Sequence, residues 1–506
     1  MDGASGMAAT LLIVLALTLL LCSLLIGAKK KGKATYQPPS YPVLGCLISF
    51  YSNRYRLLDW YTDLLSRSPT RTIVIDRLGS VPVIVTANPA NVEYVLKTRF
   101  DNYPKGKPFT DILGDLLGRG IFNSDGNLWY RQRKAASLEF TTRSLRDYAL
   151  RTVKDEASQR LLPLLRSACA EKRSIDLQEI LNRFTFDTVC KVSFGMDPEC
   201  LLPSMPTCLL AREFDVAAGI SAMRAASPLP LTWKVKRALQ IGSEKRLREA
   251  IHVVHSSVME IIRKKKEAGG GDDLLSRFVS MTGGDKEEDE ALVRDMVISF
   301  LMAGKDTTSA ALTWFFWLVA RHPEVQDDVV KEVRAKANAG LDFEALKEMK
   351  FLKACLCESM RLYPPVAWDS KHAENDDILP DGTFVRKGSR VTFFPYGMGR
   401  MEDLWGKDCL EFRPQRWLTT TPPDGKVEEE LVSAYKFPIF QAGPRQCLGK
   451  DMAFMEMRYV AAFVLSRFVL KPVESHQPRF VPFLTSRMAG GFPVLFEERQ
   501  AAALIS

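Results

Sequence analysis

Residues 440–449, FQAGPRQCLG, constrain the fold of this 506-residue chain more strongly than any other segment. They place Cys447 directly before an apolar run that we predict to be a helix. A thiolate at the start of a helix is stabilised by the helix dipole and by free backbone amides. Gly443 and Gly449 have no Cβ, so the backbone can bend tightly and lie against a flat cofactor. Arg445 can then reach an anionic group on that cofactor.

Haem is a cofactor that this loop could bind, because its iron takes an axial thiolate and its rim carries anionic propionates. A single cysteine in a loop is usually an inert buried thiol. Here, however, Phe440, Gly443, Arg445, Cys447 and Gly449 occur together in a fixed order. We therefore predict that Cys447 is the metal ligand and that the other four residues hold haem.

The N-terminus contains an uncharged apolar segment at residues 7–26, long enough to cross a bilayer as a helix. Four lysines, at positions 29, 30, 31 and 33, follow it directly. Positive residues remain on the cytoplasmic side, so we expect the rest of the chain to face the cytosol. A cleaved signal peptide is the alternative, but it would carry its basic residues before a shorter apolar core.

The chain therefore divides into three predicted regions. These are a membrane anchor at 1–28, a basic and proline-rich linker at 29–42, and one large domain at 43–500. The net charge of +9 is spread along the chain, without the organised basic face that nucleic acid requires. The ten cysteines are scattered and form no paired framework, as expected for a protein in a reducing compartment.

Apolar residues recur at three- and four-residue spacing over most of the large domain, which predicts a mainly α fold with small β-sheets. Residues 71–75 and 81–86 are β-branched runs that predict a hairpin through Gly79 and Ser80. Short extended runs near 469–472, 480–483 and 492–496 predict a small C-terminal β region. Glycine-rich or charged stretches at 268–273, 283–290 and 419–430 are predicted to be flexible surface segments.

A long apolar helix is predicted at 289–321, with Ala303, Gly304, Asp306 and Thr307 near its middle. Gly304 weakens the helix, and the Thr307 hydroxyl can bond a carbonyl one turn earlier, which would open a local kink. A kink next to iron leaves room for dioxygen and water. Asp306 and Thr307 would then be the catalytic pair that relays protons to dioxygen.

Glu358 and Arg361 lie three apart on a predicted helix in an apolar setting. A buried pair needs further partners, and Arg416 could supply them. We interpret these three residues as a structural scaffold beneath the haem loop.

Trp129 and Arg133 lie four apart on another predicted helix, so both could face one propionate. We expect positive charge on the thiolate side to attract an acidic electron donor. The four candidate cations for this docking are Arg131, Lys134, Lys450 and Arg458.

These four signatures occur along the chain in the order Trp129/Arg133, 303–308, Glu358/Arg361 and the Cys447 loop. In this order and at this spacing they resemble the cytochrome P-450 monooxygenases, and the resemblance covers about residues 40–497. More narrowly, the chain resembles the plant fatty-acid ω-hydroxylase clan, in the branch acting on fatty acids and jasmonoyl-isoleucine. Three segments carry this narrower resemblance: 100–109 (FDNYPKGKPF), 314–317 (WFFW) and 440–445 (FQAGPR).

The resemblance implies a cytochrome P-450 fold that binds haem b, with Cys447 as the fifth iron ligand. It implies that electrons come from NADPH through a separate NADPH–cytochrome P-450 reductase. It also implies a single-pass protein of the endoplasmic reticulum membrane with its catalytic domain in the cytosol. One departure is Gln415, where the family usually has glutamate, and we expect it to weaken the charge network around Arg361 and Arg416.

The expected activity is hydroxylation of the terminal carbon of fatty acids, with jasmonoyl-isoleucine as the alternative substrate. Selecting the terminal carbon requires a narrow channel with a bulky lining. The candidate lining residues are Phe109, Ile112, Leu113, Ile121, Phe122, Val366, Trp368 and Leu484. A substrate carboxylate would also favour a cation, for which Lys105, Lys107 and Arg119 are candidates.

Two other classes compete with a monooxygenase. A haem-thiolate enzyme that rearranges hydroperoxides would tend to lose the acid–alcohol pair, yet Asp306 and Thr307 are both present. A non-catalytic haem-binding membrane protein would have no need for a proton relay.

Overall fold

The computed structural model describes residues 18, 36–41, 45–76, 81–227, 230–282, 287–336, 340–421, 426–473 and 477–499. Apart from Thr18, the predicted membrane anchor lies outside these residues, as do the four lysines that follow it. Within the described ranges, none of the helices combines the length and the apolar character needed to span a bilayer.

Helices account for most of the described chain, as the periodicity predicts. In chain order they are α1 (Leu47–Ser52), α2 (Leu57–Arg67), α3 (Pro89–Glu93), α4 (Lys107–Leu117), α5 (Gly126–Phe140), α6 (Arg143–Glu156), α7 (Leu162–Ala170), α8 (Leu177–Phe194), α9 (Leu209–Ala226), α10 (Pro230–Leu239), α11 (Gly242–Ala268), α12 (Leu274–Thr282), α13 (Glu287–Ala320), α14 (Pro323–Lys336), α15 (Phe343–Glu348), α16 (Lys350–Leu362), α17 (Pro395–Met398), α18 (Glu402–Trp405) and α19 (Lys450–Leu465). π-helical turns lie at Tyr94–Thr98 and Ala157–Leu161, and 3-10 turns at Phe100–Asn102, Pro414–Trp417, Pro438–Phe440 and Gly443–Arg445.

The strands are short and form small sheets. They are β1 (Thr72–Ile75), β2 (Val83–Thr86), β3 (Ile175–Asp176), β4 (Asp369–His372), β5 (Asp377–Ile378), β6 (Phe384–Val385), β7 (Arg390–Phe393), β8 (Leu418–Thr421), β9 (Lys426–Glu429), β10 (Phe468–Pro472), β11 (Arg479–Val481), β12 (Arg487–Ala489) and β13 (Pro493–Glu498).

The chain divides into two compact units. The smaller comprises residues up to 104 together with 368–406. Its four-stranded sheet has the order β1-β2-β7-β4, in which β1 and β2 are antiparallel and Thr72 lies opposite Thr86. This pairing confirms the predicted hairpin strands, whose turn lies outside the described residues. Trp368 also belongs to this unit, where its ring lies 6.2 Å from Phe394 and 6.5 Å from Tyr61.

The larger unit comprises residues 105–367 and 407 onward and is built around α13. The 34 residues of α13 confirm the predicted long helix, about 50 Å in length. Its densest packing within this unit is against α8, where a buried Thr185 hydroxyl donates to the Lys305 carbonyl over 2.9 Å. The predicted C-terminal β region is confirmed, since β10 pairs with β13 and β11 with β12.

Two of the predicted flexible segments contain fixed parts. Residues 418–421 and 426–429 pair as the antiparallel strands β8 and β9, so the described residues 419–421 and 426–429 are β-strand, which corrects the prediction for this part of 419–430. At the end of 268–273, the buried Asp273 carboxylate bonds Lys265 over 2.5 Å and accepts the Ser276 backbone N–H over 2.9 Å.

Candidate active site

The loop that carries Cys447 joins two 3-10 turns to α19. The Cys447 N–H donates to the Phe440 carbonyl over 2.8 Å, and the Phe440 ring lies 5.1 Å from that of Phe454. Gly443 has φ +65°, so the predicted need for glycine is confirmed there. Gly449 has φ −83°, and a Cβ would meet only ordinary contacts within the chain, so the backbone conformation does not itself require glycine there. Its predicted approach to a flat cofactor stays a prediction.

The Cys447 side chain is accessible, although many protein atoms surround it. Burial raises the pKa of its thiol, against the opposing effects of the Gly449 N–H, Arg133 and Lys450. The predicted stabilising groups are therefore present, but desolvation outweighs them. A bound metal ion would add a positive charge that favours the thiolate.

Arg133 lies on α5 close enough to Cys447 for their charges to interact. Burial lowers the pKa of its guanidinium, and attraction to Cys447 opposes this shift. Among the described residues, Arg133 has neither a hydrogen bond nor an ion pair. A half-buried guanidinium in this state favours an anionic partner, and a haem propionate has that chemistry.

Arg445 already has a carboxylate partner within the chain, and its predicted contact with an anionic cofactor group stays a prediction. Its Nη2 donates to Asp125 Oδ1 over 2.6 Å and to the Ser124 carbonyl over 3.0 Å. Its guanidinium carbon also lies 4.5 Å from the centre of the buried Trp129 ring. Arg445 therefore connects the Cys447 loop to the start of α5, and Arg133 is a second candidate for an anionic cofactor group.

These features together fit haem. The donor set offers one accessible thiol at Cys447 and a neighbouring Arg133 with unused donors. The Trp129 ring lies beside Arg445, and the Phe440 ring lies beside Phe454 of α19.

The acid–alcohol segment lies in an uninterrupted part of α13. The Thr307 hydroxyl donates to the Ala303 carbonyl over 2.7 Å, as predicted. Helical hydrogen bonding continues from Glu287 to Ala320, so this bond does not break the helix. Thr307, Ala303 and Gly304 are partly accessible, whereas Asp306 is buried.

Gly304 has a packing role that the sequence does not reveal. A Cβ at this position would lie 2.5 Å from Val189 Cγ2, so its absence allows α13 to approach α8 closely.

We predict that Gly304→Ala destabilises the protein by about 1–3 kcal/mol, because Val189 is stiff and has to move. The matched control is Gly219→Ala, since Gly219 lies within α9 and a Cβ there meets nothing within 4 Å. This control should stabilise the protein by about 0.5–1 kcal/mol. Thermal unfolding of both variants makes the comparison, and equal melting temperatures would contradict it.

Asp306 belongs to a buried charge cluster that the sequence analysis missed. The Lys305 ammonium, which is 2% exposed, bonds Asp215 of α9 over 2.5 Å and Asp306 over 2.8 Å. Arg487 of β12 lies 3.2 Å from the same Asp215 oxygen and 3.8 Å from Asp306. Burial alone would lower the pKa of Lys305, but attraction to Asp306 and Asp215 raises it. The cluster therefore places the Asp306 carboxylate beside the Lys305 ammonium.

Glu358 is the centre of the predicted scaffold. It and Arg361 are fully buried, and Arg361 donates to both oxygens of Glu358 over 2.8 Å. Arg416 bonds Glu358 over 2.8 Å, which confirms the predicted third member. Trp417 Nε1 and the Arg413 backbone N–H also donate to this carboxylate, each over 2.9 Å.

The expectation for Gln415 is wrong. Its side chain is exposed. Besides Glu358, Arg416 pairs with the carboxylate of Asp408 over 3.3 Å. Arg361 donates to the backbone carbonyls of Cys409 and Glu411. The network is therefore complete without a charge at position 415.

The predicted docking cations divide into two groups. Arg131 and Lys134 are exposed on α5, and Lys450 is half-buried at the start of α19. Arg458 is buried on α19, where burial lowers its pKa and Glu429 is 3.8 Å away. Arg458 is thus a structural residue, and its assignment to a docking surface is wrong.

Four of the predicted lining residues meet in one apolar cluster of the larger unit. Leu113 is buried in it, and Phe109, Ile112 and Leu484 pack against it together with Met302 of α13. Ser486 connects the segment after Leu484 to the one before Val366, since its backbone N–H and hydroxyl donate to Pro365 and Pro364. Ile121 is buried and Phe122 is 38% exposed.

The three candidate cations for a substrate carboxylate have different environments. Lys105 is buried with its ammonium 4.3 Å from the Phe109 ring centre. Lys107 is exposed and pairs with Asp111 over 2.6 Å, and Arg119 is exposed.

A mainly helical fold with small sheets, a cysteine loop before its last long helix and an acid–alcohol pair on its central helix define a haem-thiolate oxygenase. Comparison with known proteins agrees, since the sequence model of the cytochrome P450 family matches residues 37–489. The chain belongs to this family of monooxygenases, which use haem iron and receive electrons from a separate reductase.

Several plant members of the family are similar over almost their whole length. Cytochrome P450 94B1 of Arabidopsis thaliana is 56% identical, with 93% of each chain covered. Cytochrome P450 94B3 of the same plant is 54% identical, with 93% of this chain and 94% of the relative covered. Cytochrome P450 94A1 of Vicia sativa is 46% identical, with 92% of this chain and 91% of the relative covered.

Proposed function

We propose that this monooxygenase hydroxylates the terminal carbon of fatty acids. The observation that carries the proposal is the apolar cluster containing Phe109, Ile112, Leu113 and Leu484, which includes Met302, the residue before Ala303. The partly buried members at the edge of this cluster, Phe109, Ile112, Met302 and Leu484, suit an acyl chain, whose burial is favoured in proportion to its area.

Bound haem supplies the oxidising chemistry, and the residues of the chain determine where it acts. A terminal C–H bond is stronger than its neighbours, so the enzyme has to select it by position. Rigid apolar side chains on α4 and near Leu484 would orient the chain. Thr307 and Asp306 would relay protons to the site where oxygen is reduced.

The electron donor and the location are parts of the same proposal. Arg131, Lys134 and Lys450 would attract an acidic surface of NADPH–cytochrome P-450 reductase. Residues 7–26 would anchor the protein in the endoplasmic reticulum membrane, with the lysines at 29–33 on the cytosolic side.

A reconstituted system tests the substrate. Membranes containing the full chain are combined with the reductase and NADPH, and are given medium- and long-chain fatty acids together with jasmonoyl-isoleucine. Mass spectrometry should identify terminally hydroxylated fatty acids that depend on NADPH. Membranes carrying Cys447→Ala are the control and should yield none. Oxidation of jasmonoyl-isoleucine alone would replace our substrate with the alternative one. Rearrangement of a fatty-acid hydroperoxide without NADPH would identify the other enzyme class.

A further inference from the structure

The loop between α4 and α5, residues 118–125, is attached to the central helix through Asp295. The Arg119 backbone N–H donates to Asp295 Oδ2 over 2.8 Å, and this carboxylate is buried. Arg294 Nη2 holds the other oxygen, Oδ1, over 2.7 Å. Asp295 is therefore oriented on one side by its neighbour and binds the loop with the other.

Two glycines allow the backbone of this loop to lie close to α13. Gly118 has φ +49°, and a Cβ there would lie 2.5 Å from Asp295 Oδ1 and still closer to Oδ2. A Cβ on Gly120 would lie 2.5 Å from the Asp295 carbonyl oxygen and would overlap the Ser299 hydroxyl. The loop backbone thus lies directly on α13, at a distance that no other residue type permits.

The rest of the loop is held by amide side chains and by Arg445. Asn123 Nδ2 donates to the Gly118 carbonyl over 2.8 Å, and Gln132 Nε2 to the Arg119 carbonyl over 2.9 Å. At the other end, Arg445 binds Ser124 and Asp125 as described above. The loop therefore extends from α13 to the loop that carries Cys447, with Ile121 and Phe122 between its two attachments.

We infer that Asp295 is a positioning residue that fixes Ile121 and Phe122 and thereby sets which carbon of the substrate is oxidised. The inference rests on the proposed function. Moving a reacting atom by about 1 Å can change the rate of its reaction by about 10²-fold. Adjacent carbons of an acyl chain are not much more than this distance apart. If the loop were released from α13, the enzyme would therefore hydroxylate the carbon next to the terminal one as well as the terminal carbon.

Asp295→Ala tests the inference in the membrane-bound holoenzyme. Without the acceptor, hydrogen exchange at the Arg119 amide should become roughly tenfold faster or more. The ratio of terminal to subterminal hydroxylation should fall by roughly tenfold. Asp295→Asn keeps a side-chain carbonyl for the Arg119 N–H and should retain both wild-type values. Gly120→Ala, which pushes the loop away while Asp295 stays intact, should lower the ratio too.

Asp273→Ala is the matched control, because Asp273 is also a buried carboxylate that accepts a backbone N–H and pairs with a cation. It should lower the melting temperature without changing the product ratio. An unchanged exchange rate in Asp295→Ala, or faster exchange with an unchanged ratio, would overturn the inference. So would an equal change of ratio in Asp273→Ala. If the wild type oxidises no acyl chain, the proposed function and the role in product position both fail, and the exchange rate alone decides whether Asp295 holds the loop.

Discussion

Glu358→Gln should cost about 3–5 kcal/mol of folding free energy, because it removes the charge that Arg361 and Arg416 share in the interior. Arg361 is fully buried, and a neutral amide cannot compensate its charge. The amide would also turn a donor toward Arg361, Arg416 or Trp417, which are donors themselves. Denaturant unfolding of the holoenzyme measures the loss, and haem retention should fall with it.

Gln415→Glu is the matched control for this prediction. Position 415 is exposed and lies next to Arg416, yet it takes no part in the bonds around Glu358. Adding a carboxylate there should change stability by no more than about 0.5 kcal/mol. If Gln415→Glu stabilised the protein strongly, the network described here would be incomplete; if Glu358→Gln were neutral, the scaffold assignment would fail.

Thr307→Ala should separate NADPH consumption from product formation. The variant loses the hydroxyl that bonds the Ala303 carbonyl, whereas Asp306 keeps its contacts with Lys305. We expect product formed per NADPH to fall by roughly 10²-fold, the lower end of what positioned proton transfer contributes, with peroxide formed instead. Simultaneous measurement of NADPH, peroxide and hydroxylated product checks this.

Thr307→Ser is the control, since it retains a hydroxyl at the same position. It should restore most of the coupling. An unchanged product yield in Thr307→Ala would contradict the relay, and an equal loss in Thr307→Ser would point to packing of the threonine methyl group instead.

The parts of the site that the sequence predicts well depend on local spacing. Glu358 with Arg361 and Thr307 with Ala303 are separated by three or four residues on a helix, so the helix itself brings them together. The Cys447 loop is equally local, because its geometry depends on Gly443 and on the helix that follows. Such contacts are encoded within one or two turns of chain.

The partners that the sequence does not predict are distant in the chain. Asp215 reaches Lys305 from 90 residues away and Arg487 approaches Asp306 from 181 residues away, and no local pattern connects them. Arg458 was misassigned because α19 is apolar on most of its surface, so periodicity does not distinguish its buried face. Gly304 likewise owes its glycine to Val189 on another helix, which only the packed structure reveals.

The position of the hydroxyl group in the product tests the account most directly. The wild-type protein in membranes, with reductase and NADPH, is given a single long-chain fatty acid under ¹⁸O2. We predict a terminal alcohol that contains one ¹⁸O atom and that is absent without NADPH. A product hydroxylated mainly within the chain, or no oxidised fatty acid while the reductase is active, would contradict terminal fatty-acid hydroxylation.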